Sequence, residues 1–127
     1  MSTSKSIVHR LTPSIEGAYA DMLEMLENGE DIAAGYFADN DMIAIGAMKA
    51  LQAKGLKVPE DVSIIGFDNL PTASLVEPQL TTVNVPKHYM GEMATKRLED
   101  IMLSRKFSPV KTEISTKLII RQSVISK

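Results

Sequence analysis

The chain has 127 residues, 44% of them apolar, a formal charge of −2, two histidines and no cysteine. Such a length suits about one domain with a sizeable core; the missing cysteine excludes disulfides, a thiolate nucleophile and cysteine metal sites, and interspersed charge without a basic block argues against a phosphate-binding surface. No apolar run approaches the ~18 residues of a membrane span and "MSTSKSIVHR" has no apolar signal core, so no membrane partner and a cytoplasmic location are expected.

In chain order, residues 1–11 read as a leader or partly ordered start. Ile15, Ala18, Tyr19, Met22, Leu23 and Leu26 then recur at helical spacing, which predicts a helix over 14–28. Ser14 can cap it, and Asn28-Gly29 can end it in a left-handed conformation. "AAGYFA" (33–38) reads as a short buried strand.

"DNDMIAIGAMKALQAKG" predicts a second helix over 41–54, capped by Asp39, Asn40 or Asp41 and closed by Gly55. From Met42 to Met48 it carries no charge on any face. One face packs on a sheet; the other needs a subunit partner or cover from the same chain. After the turn "LKVPED", "VSIIGF" (62–67) reads as a strand buried on both faces, which completes a parallel β-α-β unit. "NLPTASLVEPQ" is a loop with room for one helical turn between Pro71 and Pro78, and "LTTVNVP" alternates as a strand leading outward. A third helix is predicted over 87–103, with Met90, Met93, Ala94, Arg97, Leu98 and Ile101 on one side. "VKTEISTKLIIRQSV" reads as one or two strands.

Ligands of open parallel α/β sheets bind beyond the carboxyl ends of the strands. Two such ends carry Asx residues here: Asp39, Asn40 and Asp41 after one, Asp68 and Asn69 after the other. Facing one crevice, they can exchange hydrogen bonds with a polyhydroxylated ligand. Asx residues after strands are equally helix caps and turn formers, an alternative that applies to Asp41 and Asn40 more than to Asp68, which Leu70-Pro71 separates from any helix. Catalysis has little support. His9 and His88 lack partners at metal-ligand spacing, and no G-x-S-x-G, P-loop or G-x-G-x-x-G pattern occurs. No cofactor or metal is expected.

The stretch "FADNDMIAIGAMKALQAKGLKVPEDVSIIGFDNLPTASLVEPQLTTVNVP", with "MGEMATKRLEDIM" and the ending "LIIRQSV", resembles the effector-binding domain of the lactose-repressor (LacI/GalR) family of bacterial transcription regulators. The resemblance covers roughly residues 12 to 125. It implies an α/β, parallel-sheet lobe of the type I periplasmic-binding-protein kind, left incomplete: residues 12–127 as the C-terminal part of the effector domain, with 80–105 passing into the other lobe. It also implies a sugar or small-metabolite effector, a homodimer, and DNA contact only through a headpiece absent from this sequence.

By the same resemblance, Asp68 of "GFDN" falls where the family's aspartate contacts the effector, and Asn40 where some members contact it. Asp41 falls at the helix-starting position. "LTP" (11–13) resembles the family's Phe-Thr-Pro, with Leu11 replacing the Phe that packs on ligand and one residue more before Gly17. Helix 41–54 and the loop 71–78 resemble the dimerisation surface, which assigns Met42, Ile43, Ile45, Gly46, Lys49, Ala73 and Leu75 to it. Two rivals stand beside this reading: a lobe of a periplasmic-type solute-binding protein, whose fold would be shared, and a small α/β enzyme using Asp68 as acid or base.

Overall fold

Ser14 starts the first helix: its hydroxyl accepts the Gly17 N–H at 3.0 Å, satisfying a donor that has no partner within the helix. Helix α1 runs Ile15–Glu27, and Gly29 follows with φ 73°, the left-handed conformation that glycine adopts without steric cost. Then come β1 (Gly35–Phe37), α2 (Asp41–Ala53), β2 (Ser63–Asp68), a 3-10 turn at Pro71–Ser74, β3 (Thr81–Asn84), α3 (Lys87–Leu103) and β4 (Lys117–Ile119). The computed structural model describes residues 6–104 and 108–126, so the first five residues of the expected leader lie outside it.

The strands form one open sheet in the order β1-β2-β3-β4. β1 and β2 are parallel, with Tyr36 opposite Ile64; β2 and β3 are parallel, with Gly66 opposite Thr82. β4 returns antiparallel to β3, with Val83 opposite Leu118. The expected α/β, mostly parallel sheet is therefore present. Among the described residues, no helix is long and apolar enough to cross a membrane.

The core lies between α2 and one face of the sheet. Met22, Met48, Leu51, Ile64 and Leu80 are each at most 2% exposed, joined by Val58 and Val62. Full burial of a Leu or Ile side chain is worth about 1.5–3 kcal/mol, so this cluster accounts for much of the driving force. α1 packs on α2, and Gly46 permits the approach. A Cβ there would lie 2.5 Å from the Ile15 carbonyl oxygen and 2.7 Å from Ala18 Cβ.

Three expectations change. "AAGYFA" is not a buried strand: Gly35–Phe37 pair at the sheet edge, and Phe37, opposite Ile65 on the less buried face, is 63% exposed. "VSIIGF" is buried on one face only. Ile64 and Gly66 are buried, while Ile65 and Phe67 on the opposite face stay half-buried, with Phe67 edge-on to Phe37. Of "VKTEISTKLIIRQSV", just Lys117–Ile119 forms a strand. The third helix has the predicted bounds, yet none of its residues is buried; Tyr89, Met90, Leu98, Ile101, Met102 and Leu103 are all exposed.

Candidate functional site

Parallel neighbours deliver their carboxyl ends to the same edge of a sheet, ~4.8 Å apart. β1 ends there with Asp39, Asn40 and Asp41. Asn40 is the cap of α2: its Oδ1 accepts the Ile43 N–H at 2.9 Å. Its amide nitrogen has no partner among the described residues.

Asp41 is fully buried, and both its oxygens are used within the chain. Oδ2 accepts the Leu70 N–H at 2.7 Å, and Oδ1 accepts the Thr82 hydroxyl at 2.5 Å. One carboxylate thus ties the β1–α2 turn to the exit of β2 and to β3. Gly66 makes space for it, since a Cβ at that position would collide with Asp41 Oδ1.

β2 ends in a distorted turn. Asp68 and Asn69 have φ of 112° and 53°, a region that non-glycine residues enter at a cost unless the surroundings hold them there. Asn69 is held from three sides. Its N–H donates to Thr82 Oγ1 at 3.3 Å, its Nδ2 donates to Asn84 Oδ1 at 2.9 Å, and its Oδ1 accepts from Arg121 Nη2 at 2.8 Å. Arg121 is fixed in turn by a 2.7 Å bond from Nη1 to the Leu80 carbonyl and by its own N–H donating to Thr81 Oγ1 at 2.8 Å. The Asp68 side chain stays 34% exposed, with Lys87 Nζ 4.0 Å from its Oδ1. The same ammonium donates to the Asp68 carbonyl. A part-exposed carboxylate can accept hydrogen bonds from hydroxyl groups, and an ammonium beside it can donate them.

The structure therefore brings Asn40 and Asp68 to one edge, with the sealed Asp41 carboxylate between the two turns. Leu11 is half-buried against the core. It lines a groove of about 450 Å³ with Tyr36, Phe37, Asp39 and Ile43. His9 closes one wall: its Nε2 is 3.1 Å from Tyr36 Oη, which also accepts the Ala33 N–H at 2.9 Å. Burial pushes the Tyr36 phenol above its usual range, against that hydrogen bond, which lowers it.

Of the residues assigned to a dimer surface, Ile45, Gly46 and Ala73 are buried inside this chain. Cover by the same chain accounts for them, since α1 takes the helix face that seemed to need a partner. Met42, Lys49 and Leu75 are exposed, and Ile43 is half-buried.

Sequence reasoning missed Thr82, Asn84, Lys87 and Arg121 as parts of the site, and Ser123 as its support. Ser123 is fully buried; its hydroxyl donates to the Ile64 carbonyl at 2.6 Å and accepts the Thr81 N–H at 2.8 Å. A signal was present. Two consecutive threonines in a buried strand need partners: the Arg-x-Ser near the end meets Thr81, and Asp41 meets Thr82.

Residues 2–124 match the profile of the periplasmic binding protein-like domain. The HTH-type transcriptional regulator GalR of Streptococcus thermophilus is 36% identical over 110 residues, 87% of this chain and 33% of that protein. Among solved structures, a LacI family transcriptional regulator from Enterococcus faecium with bound ribose superimposes with TM-score 0.77 at 31% identity, over 90% of this chain and 41% of that one. The CelR–cellobiose complex gives TM-score 0.77 at 33% identity, over 87% and 33%. The chain thus spans about a third of the length of the curated relatives it matches.

Proposed function

This chain belongs to the periplasmic binding protein-like family, and from that premise we propose that it is the C-terminal part of the effector-binding domain of a LacI-type transcriptional regulator. The observation that carries the reading is the shared edge. Two parallel strands end side by side, and a buried carboxylate ties their exits together, which supports reading Asn40 and the part-exposed Asp68 as sharing one mouth.

The proposed effector is a sugar or similarly hydroxylated metabolite, as in the ribose- and cellobiose-bound relatives. Asp68 accepts from its hydroxyls, the Asn40 amide donates, and Leu11 covers an apolar face; Asp41 serves by fixing the turns. Residues 80–105 pass toward a second lobe that completes the cleft. That assignment fits α3, which buries no residue against this lobe. The exposed Met42, Lys49 and Leu75 are the accessible part of a homodimer surface. DNA is reached through a headpiece outside these residues, and the chain performs no catalysis. Effector acts by favouring one arrangement of the lobes, to the extent of its differential affinity for the two states.

Relatives that are regulators favour this reading over a transport lobe. Heteronuclear NMR titration of the chain with ribose and with cellobiose tests it. Shifts centred on Asn40, Asp68 and Lys87, weak in affinity because the cleft is half built and abolished by Asp68→Asn, are expected. Shifts that ignore this edge, or survive Asp68→Asn unchanged, overturn the assignment.

A further inference from the structure

The side chain proposed to meet the effector sits on strained backbone, and the groups that hold the strain come from far along the chain. Asp68 and Asn69 are consecutive non-glycine residues at positive φ, and among the described residues the ionic neighbour of the Asp68 carboxylate is Lys87, at a long 4.0 Å. Both ends of the Asn69 amide are occupied, the oxygen by Arg121 and the nitrogen by Asn84. Arg121 spans two acceptors with one planar fork, the Leu80 carbonyl and Asn69 Oδ1. A lysine has no such fork.

The geometry points to Arg121 as a positioning residue: through Asn69 it locks the β2 exit in the left-handed conformation that presents Asp68 to the effector. This rests on the reading of Asp68 as the effector contact, and it adds a link to the returning strand. Arg121 lies 52 residues after Asn69 and just past β4, the strand that follows α3. A shift of that strand removes the clamp and, with it, the presentation of Asp68. The guanidinium joins the site to the strand that returns after α3, while Lys87, at the start of α3, bonds the Asp68 carbonyl.

The test uses the full chain and reads two things separately. Backbone ¹³C shifts and three-bond couplings report whether Asp68 and Asn69 are left-handed; titration with cellobiose reports the site. In Arg121→Lys the left-handed signature at Asn69 is expected to average out, and cellobiose affinity to fall about tenfold, the effect of one lost charge-assisted bond. Adding Asn69→Gly supplies a residue that takes positive φ without a clamp, so the double variant recovers affinity to within about twofold of the starting chain. Loss of sheet packing alone gives no such recovery. Asn69→Ala keeps Arg121 on Leu80 and is expected to match Arg121→Lys, which guards against a variant that disturbs β4.

Retention of the signature in both Arg121→Lys and Asn69→Ala overturns the clamp, as does failure of glycine to restore binding. If the signature behaves as expected but cellobiose and ribose perturb neither Asp68 nor its neighbours in the unmodified chain, the clamp is supported and the effector reading fails instead.

Discussion

Asp41→Ala is the sharpest perturbation of this molecule. Asp41 is fully buried and accepts two bonds, from the Leu70 N–H and the Thr82 hydroxyl. Truncation leaves the buried Thr82 hydroxyl and the part-buried Leu70 N–H without their acceptor, at about 1–3 kcal/mol for a buried donor, and opens a small void beside Gly66. A loss of about 3 kcal/mol follows, a large share of the ~5–15 kcal/mol that holds a typical domain. Urea denaturation at low protein concentration measures it. With a slope near 1.5 kcal/mol/M, the midpoint should fall by about 2 M. Asp41→Asn keeps the shape and one acceptor, so a fall of about 1 M is expected. A double-mutant cycle of Asp41→Asn with Thr82→Val should return a coupling above about 1 kcal/mol. If Asp41→Ala moves the midpoint by less than about 0.5 M, or the cycle is additive, the tie between the two strand exits does not exist as described.

Other perturbations have equally direct readouts. Gly46→Val forces a branched side chain into the Ile15 backbone and should cost about 1–3 kcal/mol, visible as a lower melting temperature; an unchanged melt would mean that the helices separate freely. Because burial raises the Tyr36 phenol, the folded chain keeps a proton that the unfolded chain gives up. Stability is full below the unfolded value near 10 and falls as pH rises through the higher folded value. Tyr36→Phe should flatten that alkaline decline, and absorbance of phenolate should show one of the three tyrosines titrating last. The bare apolar stripe of α3 predicts association that grows with concentration. Light scattering should show it for the native chain and less of it for Met90→Glu with Ile101→Glu; a monomer at high concentration refutes it.

Much of the local structure was legible in the residues. The bounds of α1 and α2 agree with the periodicity to within a residue because side-chain caps and glycines mark their ends. The burial of β1 was not legible. An apolar run looks the same at the edge of a sheet as at its centre, and the difference lies in which neighbours exist. The apolar helix 41–54 left two covers open, a subunit or the same chain, and α1 meets its second face, a partner that spacing along the sequence does not reveal. At the site, Asp68 and Asn40 stood out as polar residues ending strands. Arg121, Asn84 and Thr82 did not, because their meaning comes from contacts dozens of residues apart.

One such contact bears on how the molecule is made. Ser123 lies between Ile64 and Thr81, and its backbone accepts the Ile64 N–H at 2.8 Å and donates to the Gln79 carbonyl at 3.0 Å. A ribosome adding residues in order makes β2 and β3 long before the serine that stitches them emerges. Until then, the nascent sheet holds unsatisfied amides and an open edge, the condition in which growing chains aggregate or recruit chaperones.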